Sequence, residues 1–247
     1  MSEFLLKMDG KTDMKENKLS LVLLGCLFLC SCADNPPLPK TKIVDTREFR
    51  TDSGSVVTIL TQNAINGNVI DDTDNSLNLV TKADNAKVMG LKILQFTAGL
   101  LGGGNTSVNG YSKDGLKGTY MDNVNNKTME YLNPELDSLL NNINIPSGRI
   151  SKITVEPFKF KLIYDGLDND NYQFIYSTTI SAGDFYHVCS SNSLISSEQI
   201  RPFSEWEKNN YELTQSMTRK IIKQCFENIN SGEKDKLEKG LLSAKDD

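Results

Sequence analysis

The sequence is poor in the residues that most enzyme chemistry needs. It holds one histidine, His187, and one tryptophan, Trp206. A single histidine argues against a zinc centre of the usual His- and Cys-rich kind. No C-x-x-C pair is present, which argues against dithiol redox chemistry. No basic block is present and the net charge is −5, a poor match to nucleic acid. No apolar run approaches the roughly 20 residues that a membrane-spanning helix needs. No internal repeat is visible.

Motifs that carry chemistry are also incomplete. Gly110 and Gly115 have the spacing of a phosphate loop, but Leu116 stands where the lysine belongs, so nucleotide binding is not expected. Two acidic stretches, around Asp71, Asp72 and Asp74 and around Asp168, Asp170 and Asn171, resemble calcium loops in charge only. Neither has glycine at the sixth place. The twelfth is Ala83 for a loop starting at Asp72 and Thr179 for one starting at Asp168, where glutamate belongs. Both are read as solvated turns, and neither a metal nor a cofactor is expected. His187 stands between Tyr186 and Val188 in a strand pattern, which turns it away from both. It is read as structural, since no nucleophile-elbow sequence accompanies it.

What is present is concentrated near the start. Lys15 and Lys18 precede an apolar run of about 11 residues, 19–29, which closes with Leu29-Cys30-Ser31-Cys32. Basic head, short apolar middle and small-residue end are the layout of a secretory signal. The ending resembles the lipobox of bacterial lipoproteins. In that family the final cysteine, here Cys32, receives a diacylglyceryl group, the signal is cut before it, and the new amino terminus is acylated. A rival lipobox ends at Cys26, but it leaves an apolar run of only about seven residues. The signal begins late, so Met14 is the expected start and 1–13 a leader. The resemblance implies a membrane anchor through lipid. Ala33, rather than aspartate, after the cysteine implies the outer membrane, facing the periplasm.

In such a compartment the two remaining cysteines, Cys189 and Cys225, are expected to pair. Closing a loop of about 37 residues stabilises a fold by about 3–4 kcal/mol on the chain-entropy view. The alternative is two separate buried thiols. A bridge would set a strand residue, Cys189, against a helix residue, Cys225.

The chain then divides as 1–31 leader and signal, 32–45 lipidated cysteine and tether, 46–230 folded domain and 231–247 charged disordered tail. Pro36, Pro37 and Pro39 stiffen the tether. β-branched and alternating runs predict strands starting near Lys42 and over 55–60, 77–81, 150–164, 172–180 and 184–189, with Pro157 marking a bulge or an edge. Met89, Ile93, Phe96 and Leu100 share one helical face and are the candidate partner contacts. Asn133 and Pro134 are expected to open a helix to about Asn142, with Leu136, Leu139, Leu140 and Ile143 inward. Ser204 and Glu207 form a capping box for a long helix to about Ile229.

The expected fold class is α+β, an antiparallel β-meander packed against a long C-terminal helix. The expected role is a non-catalytic accessory or assembly component of an envelope complex of the transport or secretion type, touching a membrane through lipid and a protein partner through its surface. One alternative is a small-molecule or glycan binding lipoprotein, using the aromatic meander face or the glycine loop. The other is a hydrolase, which needs an acid and a serine within reach of His187.

Overall fold

Ile150–Tyr164 is the longest strand among the described residues, and the fold is built on it. The computed structural model describes residues 41–66, 69–71, 73–84, 116 and 118–243, all within the unit Pro39–Asp247. Its strands are β1 (Thr41–Arg50), β2 (Val56–Asn66), β3 (Val69–Asp71), β4 (Ser76–Val80) and β5 (Thr119–Asn125). They continue with β6 (Ile150–Tyr164), β7 (Asn171–Ala182), β8 (Phe185–Ser190) and β9 (Ile200–Pro202). Among the described residues the three longer helices are α1 (Thr128–Asn141), α2 (Phe203–Asn228) and α3 (Lys234–Ser243), and a single helical turn, Ser196–Gln199, precedes β9.

The fold is α+β with a long C-terminal helical region, and the nine described strands form one mixed sheet. An antiparallel meander does not describe that sheet, because β2 and β4 both run parallel to β6. β7 takes one edge of β6, antiparallel. On the other edge β2 takes the first half, Val56↔Ile150 to Thr61↔Val155, and β4 the second, Asn78↔Lys161 to Val80↔Ile163. The change of partner falls where β6 is bulged, between Glu156 and Lys159, and Pro157 there has no N–H to donate. β1 completes one arm beside β2, and β5 the other beside β4. β8 and β9 share the far edge of β7.

Alternation decides the layers. On β7 every second residue from Tyr172 to Ala182 is buried, while those between are half-buried. The buried set joins Val57, Ile59, Ile153, Val155, Phe160 and Leu162 under the helices. On the opposite face Ile150, Tyr186 and Val188 are exposed, whereas Val80 and Ile163 at the β4 end are buried.

The helices differ from expectation at their ends. α1 starts a turn early, at Thr128, and runs through Pro134. Asn126 does the capping: its Oδ1 accepts from Thr128 N at 3.0 Å and from Thr128 Oγ1 at 2.7 Å. Leu136, Leu139, Leu140 and Ile143 are buried as the spacing predicts. α2 begins at Phe203 without a side-chain cap, so the Ser204 box is not used. It is broken at 208–211, where Asn209, Asn210 and Tyr211 adopt φ of 51°, 55° and 61°. Trp206 and Tyr211 are both buried, yet five residues on a straight helix are roughly 140° apart. The break turns both rings inward. Asn210 holds it against β5, accepting from Asn123 Nδ2 at 2.6 Å and donating to Asn123 O at 3.2 Å.

The domain also extends past both expected limits. β1 starts at Thr41, inside the stretch assigned to the tether. The stretch assigned to a disordered tail, 231–247, contains α3, with Leu237 and Leu241 buried. The charges around those leucines mask an i, i+4 apolar pair that docks on the β7–β8 turn. Glycine permits the approach: a Cβ on Gly240 would stand 2.1 Å from Ala182 O, and Gly183 in the turn has φ +52°. Ser151 Oγ adds a 2.9 Å bond to Leu241 O.

Candidate functional site

Where β2 and β4 part along one edge of β6, backbone groups are left to be satisfied. Asp74 satisfies them. Its N–H donates to Phe158 O at 3.1 Å, and its Oδ2 accepts from Phe160 N at 3.0 Å. Oδ1 accepts from the Tyr120 hydroxyl at 3.0 Å. Burial pushes the Asp74 carboxyl above its ordinary value, opposed by the Phe160 N–H, Lys161, Tyr120 and Asn78. The acidic stretch read as a solvated turn therefore ends in a buried structural carboxylate, because only a side-chain acceptor reaches the bulged edge.

Above Asp74 the two arms leave an open groove of about 570 Å³. β1 contributes Lys42 and Val44, Asn75 and the first residue of β4, Ser76, line the middle, and β5 contributes Tyr120 and Asp122. Asn63 and Thr73 brace its wall through a 2.7 Å bond. Sequence reasoning did not find this site. Its residues come from four separate stretches and share no motif.

A second cleft, about 450 Å³, lies where α3 meets β8, between Asp184, Tyr186, Glu233, Lys236 and Lys239. Beside it His187 Nδ1 lies 2.6 Å from Glu233 Oε2. The Phe185 ring stacks near the imidazole, centroids 6.4 Å apart. The His187 hydrogen bond holds Glu233 below the usual glutamate range, with a smaller opposing effect of burial and help from Lys236. Of the two groups a hydrolase needs beside His187, the acid is there. Among the described residues no serine hydroxyl is hydrogen-bonded to the ring. The pair fastens the turn Ile229–Glu233 to β8.

Cys189 and Cys225 are joined, with Cα atoms 5.4 Å apart, and the bridge ties β8 to α2. The aromatic face proposed as a binding surface is core instead: Phe160, Phe174 and Tyr176 lie under the helices. Phe174 meets Phe160 edge-on and packs against Trp206, whose Nε1 donates to Tyr172 O at 3.0 Å. At the end of the glycine-rich stretch, Leu116 is also core. Cys26, Cys32, Met89, Ile93, Phe96 and Leu100 lie outside the described residues.

Among the described residues no group of three His, Cys, Asp or Glu side chains could hold a metal, and no helix is long and apolar enough to cross a membrane. No protein-family model, curated protein or solved structure matches the chain.

Proposed function

We propose that this is a lipid-anchored lipoprotein of a bacterial cell envelope, held by Cys32 at the outer membrane and facing the periplasm. Its α+β domain serves as a non-catalytic accessory component of an envelope complex, of the transport or secretion type. The observation that carries this reading is the buried Cys189–Cys225 bridge. Bridges of this kind persist in oxidising compartments and are rare in a reducing cytosol. It agrees with the signal-like stretch and the lipobox-like ending at Cys32. Lipid chains on one cysteine, each CH2 adding about 0.8 kcal/mol, would hold the domain at a bilayer without a spanning helix.

The open face of the sheet supports a protein partner. Ile43, Ile150, Tyr186 and Val188 are 54%, 55%, 66% and 44% exposed. The strand registers place Ile150 beside Val56 and Val188 beside Thr179, on the face opposite the buried residues of β7.

The test is intact mass of the membrane-extracted protein, wild type and Cys32→Ala, before and after reduction. The expected product starts at Cys32, carries lipid, and is lighter by two hydrogens before reduction. Cys32→Ala should stay unprocessed. A soluble, unlipidated, full-length wild type would sink the reading.

A further inference from the structure

The groove between the two arms has a composition that selects its ligand. Among the described residues Lys42 Nζ, the Asn75 amide, the Ser76 hydroxyl and the Asp122 carboxylate line it, and no protein hydrogen bond or ion pair engages any of these side-chain groups. Tyr120 beside them is 45% exposed, and its hydroxyl is fixed on Asp74. That anchor holds the ring in place while one part of it stays open to solvent.

Each alternative ligand class meets an obstacle. Among the described lining residues Val44 is the one aliphatic side chain, so an alkyl chain would bury little apolar surface against them. Among the described lining residues one lysine faces one aspartate, so they form no single-sign patch of the kind a polyphosphate or a polycation would select. What remains is a mixture of donors and acceptors next to one aromatic face. An amide both donates and accepts, a carboxylate accepts twice, an ammonium donates three times and a hydroxyl does either. That set matches a ligand whose own groups are mostly hydroxyls, each able to donate and accept. The Tyr120 ring offers an apolar surface to the C–H face of such a ligand. A volume of about 570 Å³ falls within the ordinary range for small-ligand sites.

We propose that this groove binds a neutral saccharide, with Tyr120 as the stacking platform and Asn75, Asp122, Ser76 and Lys42 as the hydroxyl-reading groups. The described residues of the site all belong to the folded domain, and the proposal does not depend on the lipid anchor. Its failure would leave the lipoprotein reading standing, and the reverse also holds.

The experiment is ligand-observed NMR saturation transfer on the full chain. The probes are four neutral disaccharides: maltose, lactose, cellobiose and N,N′-diacetylchitobiose. At least one should receive saturation and give a dissociation constant by titration. Tyr120→Ala should weaken binding by on the order of tenfold, as loss of an aromatic anchor does. Tyr120 also supports Asp74, so Asp122→Ala and Asn75→Ala serve as variants that spare the fold. Each should weaken binding several-fold with unchanged melting temperature. Tyr186→Ala, on another surface, should leave it unchanged. If all four probes stay unsaturated, or if saturation survives Asp122→Ala and Asn75→Ala undiminished, the proposal is overturned.

Discussion

The two faces of the sheet are made by the same strands and differ by one residue in phase. On β7, Phe174, Tyr176, Thr178 and Ile180 face the helices, while Ile175, Ser177, Thr179 and Ser181 face away. The first set is buried with Trp206, Ile221 and Phe226 and holds the fold together. The second forms rows such as Thr46–Leu60–Thr154–Ser181–Tyr186, running across five strands, in which Tyr186 is 66% exposed. The second face is not uniform: at the β4 end Val80 and Ile163 are buried on it, while Ile150, Tyr186 and Val188 at the other end are exposed. The difference teaches that stability resides mainly under the helices, which leaves the exposed end of the other face free to vary or to meet a partner.

Breaking the covered face should cost most. Phe174→Ala leaves a cavity among Phe160, Tyr176 and Trp206 and should lower unfolding free energy by about 3–5 kcal/mol, read by urea denaturation. Next comes the staple between β8 and α2. Cys189→Ala with Cys225→Ala should cost about 3 kcal/mol, and a reductant should reproduce that in the wild type while leaving the double variant unaffected.

The bulged edge should give a pH signature. The Asp74 carboxyl lies above its ordinary value in the fold, so the folded state binds that proton more tightly than the unfolded chain. Its contribution to stability is fully present below the unfolded value, near 3.8, and is lost as pH rises through the folded value. Asp74→Asn removes this dependence. Relative to wild type, the variant should therefore be most stable at neutral pH and lose that advantage as pH falls toward 3.8. Glu233 runs the other way: lowered by His187, its contribution is present above 4.5 and lost as pH falls through its depressed folded value. His187→Gln should flatten that acid limb. Thermal melts of both variants from pH 3 to 8 would separate the two effects.

The smallest effects belong to the break in α2 and to the open face. At Asn210 the backbone is left-handed, so Asn210→Gly should be tolerated better than Asn210→Ala by about 1 kcal/mol. Thr179→Ala, on the open face one strand register from Val188, should stay within about 0.5 kcal/mol of wild type. A larger loss there would mean that this face carries more of the stability than its exposure suggests.

Much of the local structure was legible before the coordinates. Alternation located β6 and β7, the missing proline donor pointed to a bulge or an edge and a bulge is found, and the cysteine count favoured the Cys189–Cys225 pair over two separate thiols. Illegible features each needed contacts distant in sequence. The capping box at Ser204 satisfies every local rule for a continuous helix, yet burial of Trp206 and Tyr211 together overrides it. The leucines of α3 sit among charges that read as disorder until Gly240 is seen to let the helix touch the β7–β8 turn. The groove has no signature at all, because Lys42, Asn75, Tyr120 and Asp122 meet only where two arms diverge.

The sequence by itself determined the periodicities, and with them which residues could be strand, helix or core. It also carried the signal-like stretch, a local chemical pattern that needs no fold to be recognised. Strand order was decided only by tertiary structure. Alternation says which face a residue occupies and nothing about which strand lies beside it. That β2 and β4 share one edge of β6, leaving Asp74 to bridge the gap, follows from hydrogen bonds closed between distant segments. Those bonds are cooperative properties of the folded chain, and no window of sequence contains them.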